Sequence, residues 1–343
     1  MAKKKIVKSR LVKKTPKVKG TDEKLPLTRW SDHYAFGMNT PPPARRDMPW
    51  FGWVGLIIII ASEVLLYSGH HPVAIAFTPI MWTGYILLLD GWIWLRGGTS
   101  FFIDQKREWP MLFLISILLW SMFEVMNFKV KNWHYINIPP LVQKEILGAW
   151  AYGTIIPALF RTRSLFETFK FFHRVGKRRV NFTPFKLALS FLFGAASISL
   201  PFLMSDLRAN ILIPFIWLGF IFMLEPINHL LNVPSVSIYR QLEEGRSSFL
   251  WQVLAAGLFC GLLWEVLNEQ ANLAHGLVWI YDVAPFWRKL FFNLQIGQMP
   301  LAGFGGYPPF IWENFALYEL VKWAMQGNIM WKTTPRSVTG VED

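Results

Sequence analysis

Cysteine is nearly absent from this chain, and its scarcity excludes several kinds of site. The only cysteine, Cys260, lies inside an apolar run. One thiol cannot form a disulfide within the chain, and it cannot build a cysteine-ligated metal or iron–sulfur centre. Because a free cysteine behaves as a small apolar side chain, we expect Cys260 to lie in a packed core.

Nucleotide-binding and hydrolase fingerprints are also missing. The sequence has no Walker loop, no dinucleotide-binding glycine motif and no G-x-S-x-G elbow. Glu225 and His229, four residues apart, resemble half of a helical metal site, but no H-x-x-x-H or E-x-x-H pattern accompanies them. A haem would need a histidine within an apolar run, whereas His134, His229 and His275 lie near the ends of such runs. We therefore predict no metal site, and the sequence leaves any cofactor unknown.

Apolar residues are what the chain has in abundance. Hydrophobic residues make up 53% of it and aromatic residues 16%, with 18 tryptophans. Several runs approach about 20 apolar residues, the length that crosses a bilayer. An open sheet cannot span lipid, and these runs are too long and too uniform for barrel strands. The sequence therefore predicts an all-α fold, a polytopic transmembrane helical bundle. We place about eight spans, at 50–68, 73–95, 110–128, 138–160, 183–204, 209–230, 249–269 and 298–325.

Positive charge is concentrated at the N-terminus. The net charge is +13, and nine lysines and arginines fall within the first twenty residues. Such an arm is typical of a cytoplasmic segment that contacts anionic lipid or an acidic partner subunit. No aromatic residues alternate with the basic ones, which disfavours nucleic acid as the partner. No apolar segment follows the basic run directly, so we expect no cleavable signal peptide.

The loops give an orientation for the predicted spans. With the N-terminus inside, the loops richest in lysine and arginine all fall on the cytoplasmic side, so both termini are predicted to be cytoplasmic. These basic residues follow spans two, four, six and eight: Arg96, Lys106, Arg107, Arg161, Arg163, Arg174, Lys177, Arg178, Arg179, Arg240, Arg246, Lys332 and Arg336.

Two stretches of the chain repeat each other in order. "TPIMWTGYILLLDGWIWL" at 78–95 aligns with "IPFIWLGFIFMLEPINHL" at 213–230, which matches Asp90 with Glu225 at an offset of 135. The offset then grows to 141, 146 and 152 along the chain. The later matches are Glu124 with Glu265, Asn127 with Asn268, Tyr135 with Tyr281, Pro139 with Pro285, Gly153 with Gly305, and Pro157 with Pro309.

An internal duplication accounts for this ordered series of matches. Four spans in each half preserve the direction of the chain, so we predict two parallel four-helix repeats related by an axis along the membrane normal. The domain division that follows is a basic cytoplasmic arm at 1–48, a first repeat with its basic loop at 49–182, a second repeat at 183–330, and a cytoplasmic tail at 331–343.

Acids inside the predicted spans are the candidate functional groups. Glu124 with Asn127 and Glu265 with Asn268 are three residues apart, so each pair lies on one helix face. Because a charge facing lipid is costly, these groups should point into the bundle. Two interpretations fit: a functional site, or hydrogen bonds that join helices. Asp90 and Glu225 end the second span of each half.

After the third span, each half carries a W-x-Y element and then a proline, in "WHYINIPP" and "WIYDVAP". Trp279 and Tyr281 of the second half, like Tyr135 of the first, fit an aromatic belt at the membrane boundary. They equally fit a wall on which a flat apolar ligand stacks.

The last span begins with "MPLAGFGGYPPFIWENF", which contains Tyr307 and Glu313. Glycines and paired prolines break a helix, and broken helices at membrane depth usually line a cavity. The residue 152 positions before Glu313 is Arg161. This asymmetry predicts that the second half is active and the first half is supporting.

These motifs resemble a known membrane family. The chain resembles a little-characterised family of bacterial polytopic membrane proteins in the order of three motifs. These are W-x-x-x-N, then W-x-Y, then a proline-led apolar segment with a glutamate. The chain is also distantly similar to the membrane-embedded lycopene cyclase domain, a small duplicated helical unit. The resemblance covers about 250–315 and, more faintly, 110–160. It implies a bacterial inner membrane protein, with Glu313 in the proline-led acid motif and Trp279 and Tyr281 in the W-x-Y element.

Three functions remain open at this point. The first is an enzyme acting on a lipid or isoprenoid, with Glu265 and Glu313 as general acid and base, Asn268 orienting an acid, and Trp279, Tyr281, Tyr307 and Glu225 binding the substrate. Asp90, Glu124, Asn127 and Tyr135 would support it from the first repeat. The second is an accessory subunit of a larger membrane complex that binds pigment, quinone or lipid. The third is a proton-coupled transporter.

Overall fold

A computed structural model describes residues 46–172, 179–231, 237–245 and 247–326 of the chain. Of the predicted N-terminal arm, residues 1–45 lie outside the described residues, as does the whole of the predicted tail. Helices make up 75% of what is described, and the fold is nearly all-α, as predicted for the fold class.

Twelve α-helices and four short strands follow one another in the described residues. The first half contains α1 (Trp50–Tyr67), α2 (His71–Ile75), α3 (Phe77–Leu95), α4 (Glu108–Val130), β1 (Trp133–Ile136) and α5 (Leu141–Thr168). The second half contains α6 (Pro184–Leu203), α7 (Asp206–Ile211), α8 (Ile213–Leu230), α9 (Ile238–Glu243), α10 (Ser248–Leu273), β2 (Val278–Tyr281), α11 (Pro285–Leu290), β3 (Gln295–Ile296), β4 (Met299–Pro300) and α12 (Tyr307–Gln326).

Five of these helices, α1, α4, α6, α8 and α10, are long and apolar enough to cross a membrane. No more than 44% of the apolar window in any of the five is buried in the bundle. Large apolar side chains therefore point outward, among them Phe128 at 81% exposed and Leu118 at 71%. Such exposure is costly in water. The five helices are thus compatible with an integral membrane protein.

Glycines let two pairs of helices approach closely. α1 packs on α3 and α6 packs on α8. A Cβ added to Gly55 would lie 2.6 Å from the carbonyl oxygen of Gly84, and one added to Gly194 would lie 2.6 Å from that of Gly219. Small residues at such crossings are typical of helix packing in membranes.

Helix α5 extends beyond the predicted end of the fourth span. The prediction ended this span at residue 160 and put Arg161 and Arg163 in a cytoplasmic loop, which is wrong. The helix continues to Thr168, and the two arginines are 0% and 5% exposed. Arg161 bonds Asp90 at 2.9 Å, and Arg163 bonds Glu167 at 2.8 Å. Each arginine has a buried acidic partner, and this ion pair offsets the cost of burying its positive charge within the bundle.

The start of the last predicted span is not α-helical, and it includes strand β4. Residues Leu301–Gly306 form a 3₁₀-helix, and α12 begins only at Tyr307. The amphipathic segment predicted at 284–297 contains α11 and β3, and it exposes Phe286, Leu290 and Phe292. The glycines and prolines of this region thus end one helical conformation and begin another, as their backbone preferences require.

Strands β1 and β2 form an antiparallel ribbon across the end of the bundle. Trp133 lies opposite Tyr281 and Tyr135 lies opposite Trp279. Each W-x-Y element thus pairs with the other one. Directly paired residues, and residues two apart on a strand, share one face of a sheet. The four aromatic side chains therefore lie on the same face of the ribbon.

We predict that Gly55→Ala destabilises the protein whereas Gly148→Ala does not. Alanine normally stabilises a helix over glycine by about 0.5–1 kcal/mol. At Gly55 the new Cβ would lie 2.5 Å from the backbone nitrogen of Leu88, so overpacking at about 1–3 kcal/mol outweighs that gain. At Gly148 its nearest neighbour lies at an ordinary 3.7 Å.

The check is the thermal unfolding midpoint of both variants in the same detergent. A Gly55→Ala midpoint at or above that of Gly148→Ala would contradict this packing of α1 on α3.

Candidate functional site

A cavity of about 1350 Å³ lies beneath the aromatic face of the ribbon. All four ribbon aromatics line it, and helices from both halves of the chain complete its wall. Much of that wall is aromatic, with Trp120, Tyr152, Trp217, Trp264 and Phe310 among its side chains. The rings of Trp120 and Trp264 stack at a centroid distance of 6.1 Å. The site is therefore a large, mainly apolar chamber shared between the halves.

Glu124 is the carboxylate of α4 in this wall. Its Oε1 accepts hydrogen bonds from Trp120 Nε1 at 2.9 Å, Trp133 Nε1 at 3.2 Å and Tyr135 OH at 2.5 Å. Oε2 takes part in none of these bonds, and the side chain is only partly buried. Glu124 thus presents a carboxylate to the cavity while three neutral donors hold its other oxygen.

Glu265 of α10 has a similar environment but lies deeper. Tyr281 OH donates to its Oε1 at 2.8 Å and Tyr307 OH at 2.5 Å, while Trp279 Nε1 donates to Tyr281 OH at 2.7 Å. The side chain of Glu265 is 0% exposed, and it is absent from the cavity wall that both phenols line. Glu265 therefore meets the cavity through Tyr281 and Tyr307.

The two phenols of the ribbon stay protonated donors. Burial raises the pKa of Tyr135 well above its usual value, and the nearby Tyr152 and Glu124 raise it further. Burial likewise raises the pKa of Tyr281, with the charge of Glu265 as the next cause. Each phenol is thus fixed as a hydrogen-bond donor to its carboxylate across the physiological pH range.

The two asparagines connect the helices to the ribbon. Asn127 donates to the carbonyl of Trp133 at 2.7 Å, and Asn268 donates to that of Trp279 at 2.9 Å. Their side-chain oxygens accept from backbone N–H groups of the same segments. Asn268 is thus bonded to the ribbon backbone, whereas the sequence predicted that it orients an acid. It positions Trp279, and its role in orienting an acid stays a prediction.

Asp90 and Glu225 are fully buried and lie outside the cavity wall. Glu225 accepts from Ser237 Oγ at 3.0 Å, from the N–H groups of Ile238 and Tyr239, and from Trp312 Nε1 at 2.7 Å. Asp90 binds the loop after α3 in the same way, through Ser100 and the next two N–H groups. Through these bonds, each acid joins the end of its helix to the segment that follows it.

Glu313 is also outside the cavity wall, although its motif suggested a place beside Glu265. It is 1% exposed, and neither carboxylate oxygen has a hydrogen-bond partner among the described residues. Its helix does bring Tyr307 to the site. The structure thus groups Glu265, Asn268, Trp279, Tyr281 and Tyr307, and separates Glu225 and Glu313 from them.

No three histidine, cysteine, aspartate or glutamate side chains in the described ranges come together as metal ligands. His229 pairs with Glu243 at 2.9 Å, on the neighbouring helix α9.

Sequence reasoning missed several residues of the cavity wall. Trp120 lies four residues before Glu124, so the i, i+4 rule could have found it on the same helix face. Trp264 lies four residues before Asn268, in the W-x-x-x-N element, and could have been found in the same way. Tyr152 and Trp217 reach the cavity only through packing of separate helices. The catalytic roles of Glu265 and Glu313 stay predictions. Glu124, predicted only as a supporting residue, is a carboxylate in the cavity wall, as are Glu145 and Asp282.

Comparison of the chain with protein-family models, with curated proteins and with solved structures finds no match.

We predict that Asn268→Ala loosens the ribbon. Removing the side chain leaves the N–H and carbonyl of Trp279 without these partners, which costs about 1–3 kcal/mol. Hydrogen exchange at the Trp279 amide should accelerate. Asn272→Ala, one turn further along α10, is the matched control, because no hydrogen bond of the Asn272 side chain is seen in the described structure. Equal exchange rates at Trp279 in the two variants would refute this role for Asn268.

Proposed function

We propose that this protein is an integral membrane protein of eight spans that binds a lipid or isoprenoid in the aromatic cavity and transfers protons to and from it. The observation that carries the proposal is Glu124, a carboxylate in the wall of a large aromatic chamber. The spans are the eight long helices, α1, α3, α4, α5, α6, α8, α10 and α12.

The packing pattern supports two parallel four-helix repeats. α1 packs on α3, α3 on α5 and α4 on α5; correspondingly, α6 packs on α8, α8 on α12 and α10 on α12. The glycine contacts of α1 with α3 recur between α6 and α8. His134 pairs with Ile280, its counterpart at the offset of 146, so the ribbon register is symmetric about this pair. A two-fold axis through the ribbon, along the membrane normal, relates these features.

The distribution of charge supports the orientation proposed from the sequence. Arg96, Arg107 and Arg240 lie at the end of the bundle opposite the ribbon, together with the start of α1 at Trp50. In this orientation the ribbon and the cavity mouth face away from the cytoplasm. The resemblance noted above adds the bacterial inner membrane as the compartment.

The size and lining of the cavity support a long apolar ligand. Typical small-molecule sites measure roughly 300–1,000 Å³, and this cavity is larger. Its wall includes Phe128 on the apolar outer surface and the exposed Lys144 beside the ribbon. A lipid or isoprenoid could thus enter from the bilayer and leave a polar end near the ribbon.

Glu124 is the group that we propose exchanges a proton with the ligand. Trp120, Trp133 and Tyr135 fix its Oε1, which leaves Oε2 to act on the ligand as a general base or, when protonated, as an acid. Glu265 would act from the other half through Tyr281 and Tyr307, whose hydroxyls lie 3.3 Å apart. The aromatic rings would stabilise positive charge that develops on the ligand.

We predict that Glu124→Gln stops conversion of the bound molecule without preventing its binding. Removing a general acid or base slows a reaction by roughly 100- to 10,000-fold. Wild-type protein, purified from its native membrane in mild detergent, should carry an apolar molecule and its product, whereas the variant should carry only the unconverted molecule. Chromatography with mass spectrometry identifies both.

Glu145→Gln is the matched control, because Glu145 also lines the cavity but is exposed, and its one ion pair among the described residues is with Lys144 at 3.4 Å. Identical bound molecules in wild type and Glu124→Gln would refute the acid–base role. A protein partner at fixed ratio, with no bound apolar molecule, would favour the accessory-subunit alternative.

A further inference from the structure

Glu313 is a buried carboxyl group that the proposed reaction does not use. It lies in the second turn of α12, which packs against α8, α10 and α5. Its side chain is 1% exposed and takes no part in the cavity wall. The Glu313 side chain is therefore buried between α12 and the neighbouring helices.

The polar groups next to Glu313 in sequence and on α8 offer it no donor. Asn314 Nδ2 donates to the Phe310 carbonyl at 2.6 Å, and Asn228 Nδ2 donates to the Ala316 carbonyl at 2.8 Å. The side-chain oxygens of both asparagines are themselves buried without a partner, as are both oxygens of Glu313. Acceptors thus outnumber donors in this part of the described bundle.

The charged and titratable groups on the helices around Glu313 are engaged elsewhere. Glu225 of α8 accepts from Ser237 and Trp312, and Glu265 of α10 accepts from two phenols. The other such groups are Lys144, Glu145, Tyr152, Arg161, Arg163 and Glu167 on α5, His229 on α8, Cys260 and Glu269 on α10, and Tyr307, Tyr318, Glu319 and Lys322 on α12 itself. Arg161 pairs with Asp90, Arg163 with Glu167, and Lys322 with Glu108 at 2.8 Å. No described cation forms an ion pair with Glu313.

The two halves differ sharply at this position. Arg161 occupies the corresponding place in the first half and neutralises Asp90. In the second half, Trp312 donates to Glu225, and Glu313 adds an acid with no positive partner. An isolated carboxylate in an apolar interior is so costly that the group takes up a proton instead.

We propose that Glu313 is an intramembrane proton-binding site, occupied at neutral pH and separate from the aromatic cavity. Its ligand is a single proton, held on a carboxyl group that the bundle isolates from water. This site does not depend on the ligand or the reaction proposed for the cavity.

Infrared spectroscopy of the full chain in lipid vesicles tests the proposal directly. An un-ionised carboxyl has a carbonyl stretching band above the amide I band, and an ionised one does not. At neutral pH in heavy water, Glu313→Gln should lose one such band relative to wild type. Glu145→Gln, which removes an exposed acid, should keep it. An unchanged band in Glu313→Gln would overturn the proposal.

A second measurement uses the unmodified sequence, in case Glu313→Gln does not fold. Dicyclohexylcarbodiimide, an apolar reagent, reacts with protonated carboxyls: the proton moves to its nitrogen, the carboxylate oxygen adds to its central carbon, and nothing leaves. Peptide mapping by mass spectrometry should find one reagent mass on Glu313. If carboxyls elsewhere in the membrane part are modified and Glu313 is not, the proposal fails.

Discussion

Hydrogen bonds between helix ends and the ribbon determine the shape of this site. Asn127 and Asn268 bind the backbone of the W-x-Y segments, and Glu124 and Glu265 bind their side chains. Each strand has only four residues, so pairing between the two strands alone would hold them weakly in place. The cavity forms because α4 and α10 end at the same end of the bundle. Each helix binds one strand of the ribbon, and the ribbon covers the space between them. Polar groups thus build an apolar chamber.

The buried acids in the rest of the bundle also need hydrogen-bond or ion-pair partners. In an apolar surrounding, a polar group without a partner is costly, so each acid needs a local solution. Asp90 pairs with an arginine and accepts hydrogen bonds from a loop. Glu225 accepts hydrogen bonds from a loop and an indole, and Glu265 accepts them from two phenols. Asp90 and Glu225, whose positions match in the alignment, thus both bind a loop but differ in their other partner, an arginine for Asp90 and an indole for Glu225. Similar positions in the sequence do not imply similar chemistry.

The sequence predicted the helical class and the shared face of each acid–amide pair, because both depend on spacing along a single helix. It did not predict the ribbon. Four-residue strands are too short for a recognisable alternation, and Trp133 meets Tyr281 only after the chain has folded. The arginines of α5 were misassigned for a related reason: charge normally ends a span, and the partner that keeps Arg161 inside, Asp90, is 71 residues away. Likewise, no local pattern indicated that Glu124 would face the cavity while Glu265 would not.

The ribbon also bears on how the chain could be divided. Each of its strands comes from a different half, and in the described ranges neither strand has a partner within its own half. A half made alone would contain an unpaired strand, whose free backbone groups could pair with another strand edge. Because the register is symmetric about His134 and Ile280, a second copy of the same half could supply that edge. The duplication that we propose would then imply an ancestor of half this length that closed its chamber only as a homodimer, and joining the two copies in one chain would have freed each half to diverge.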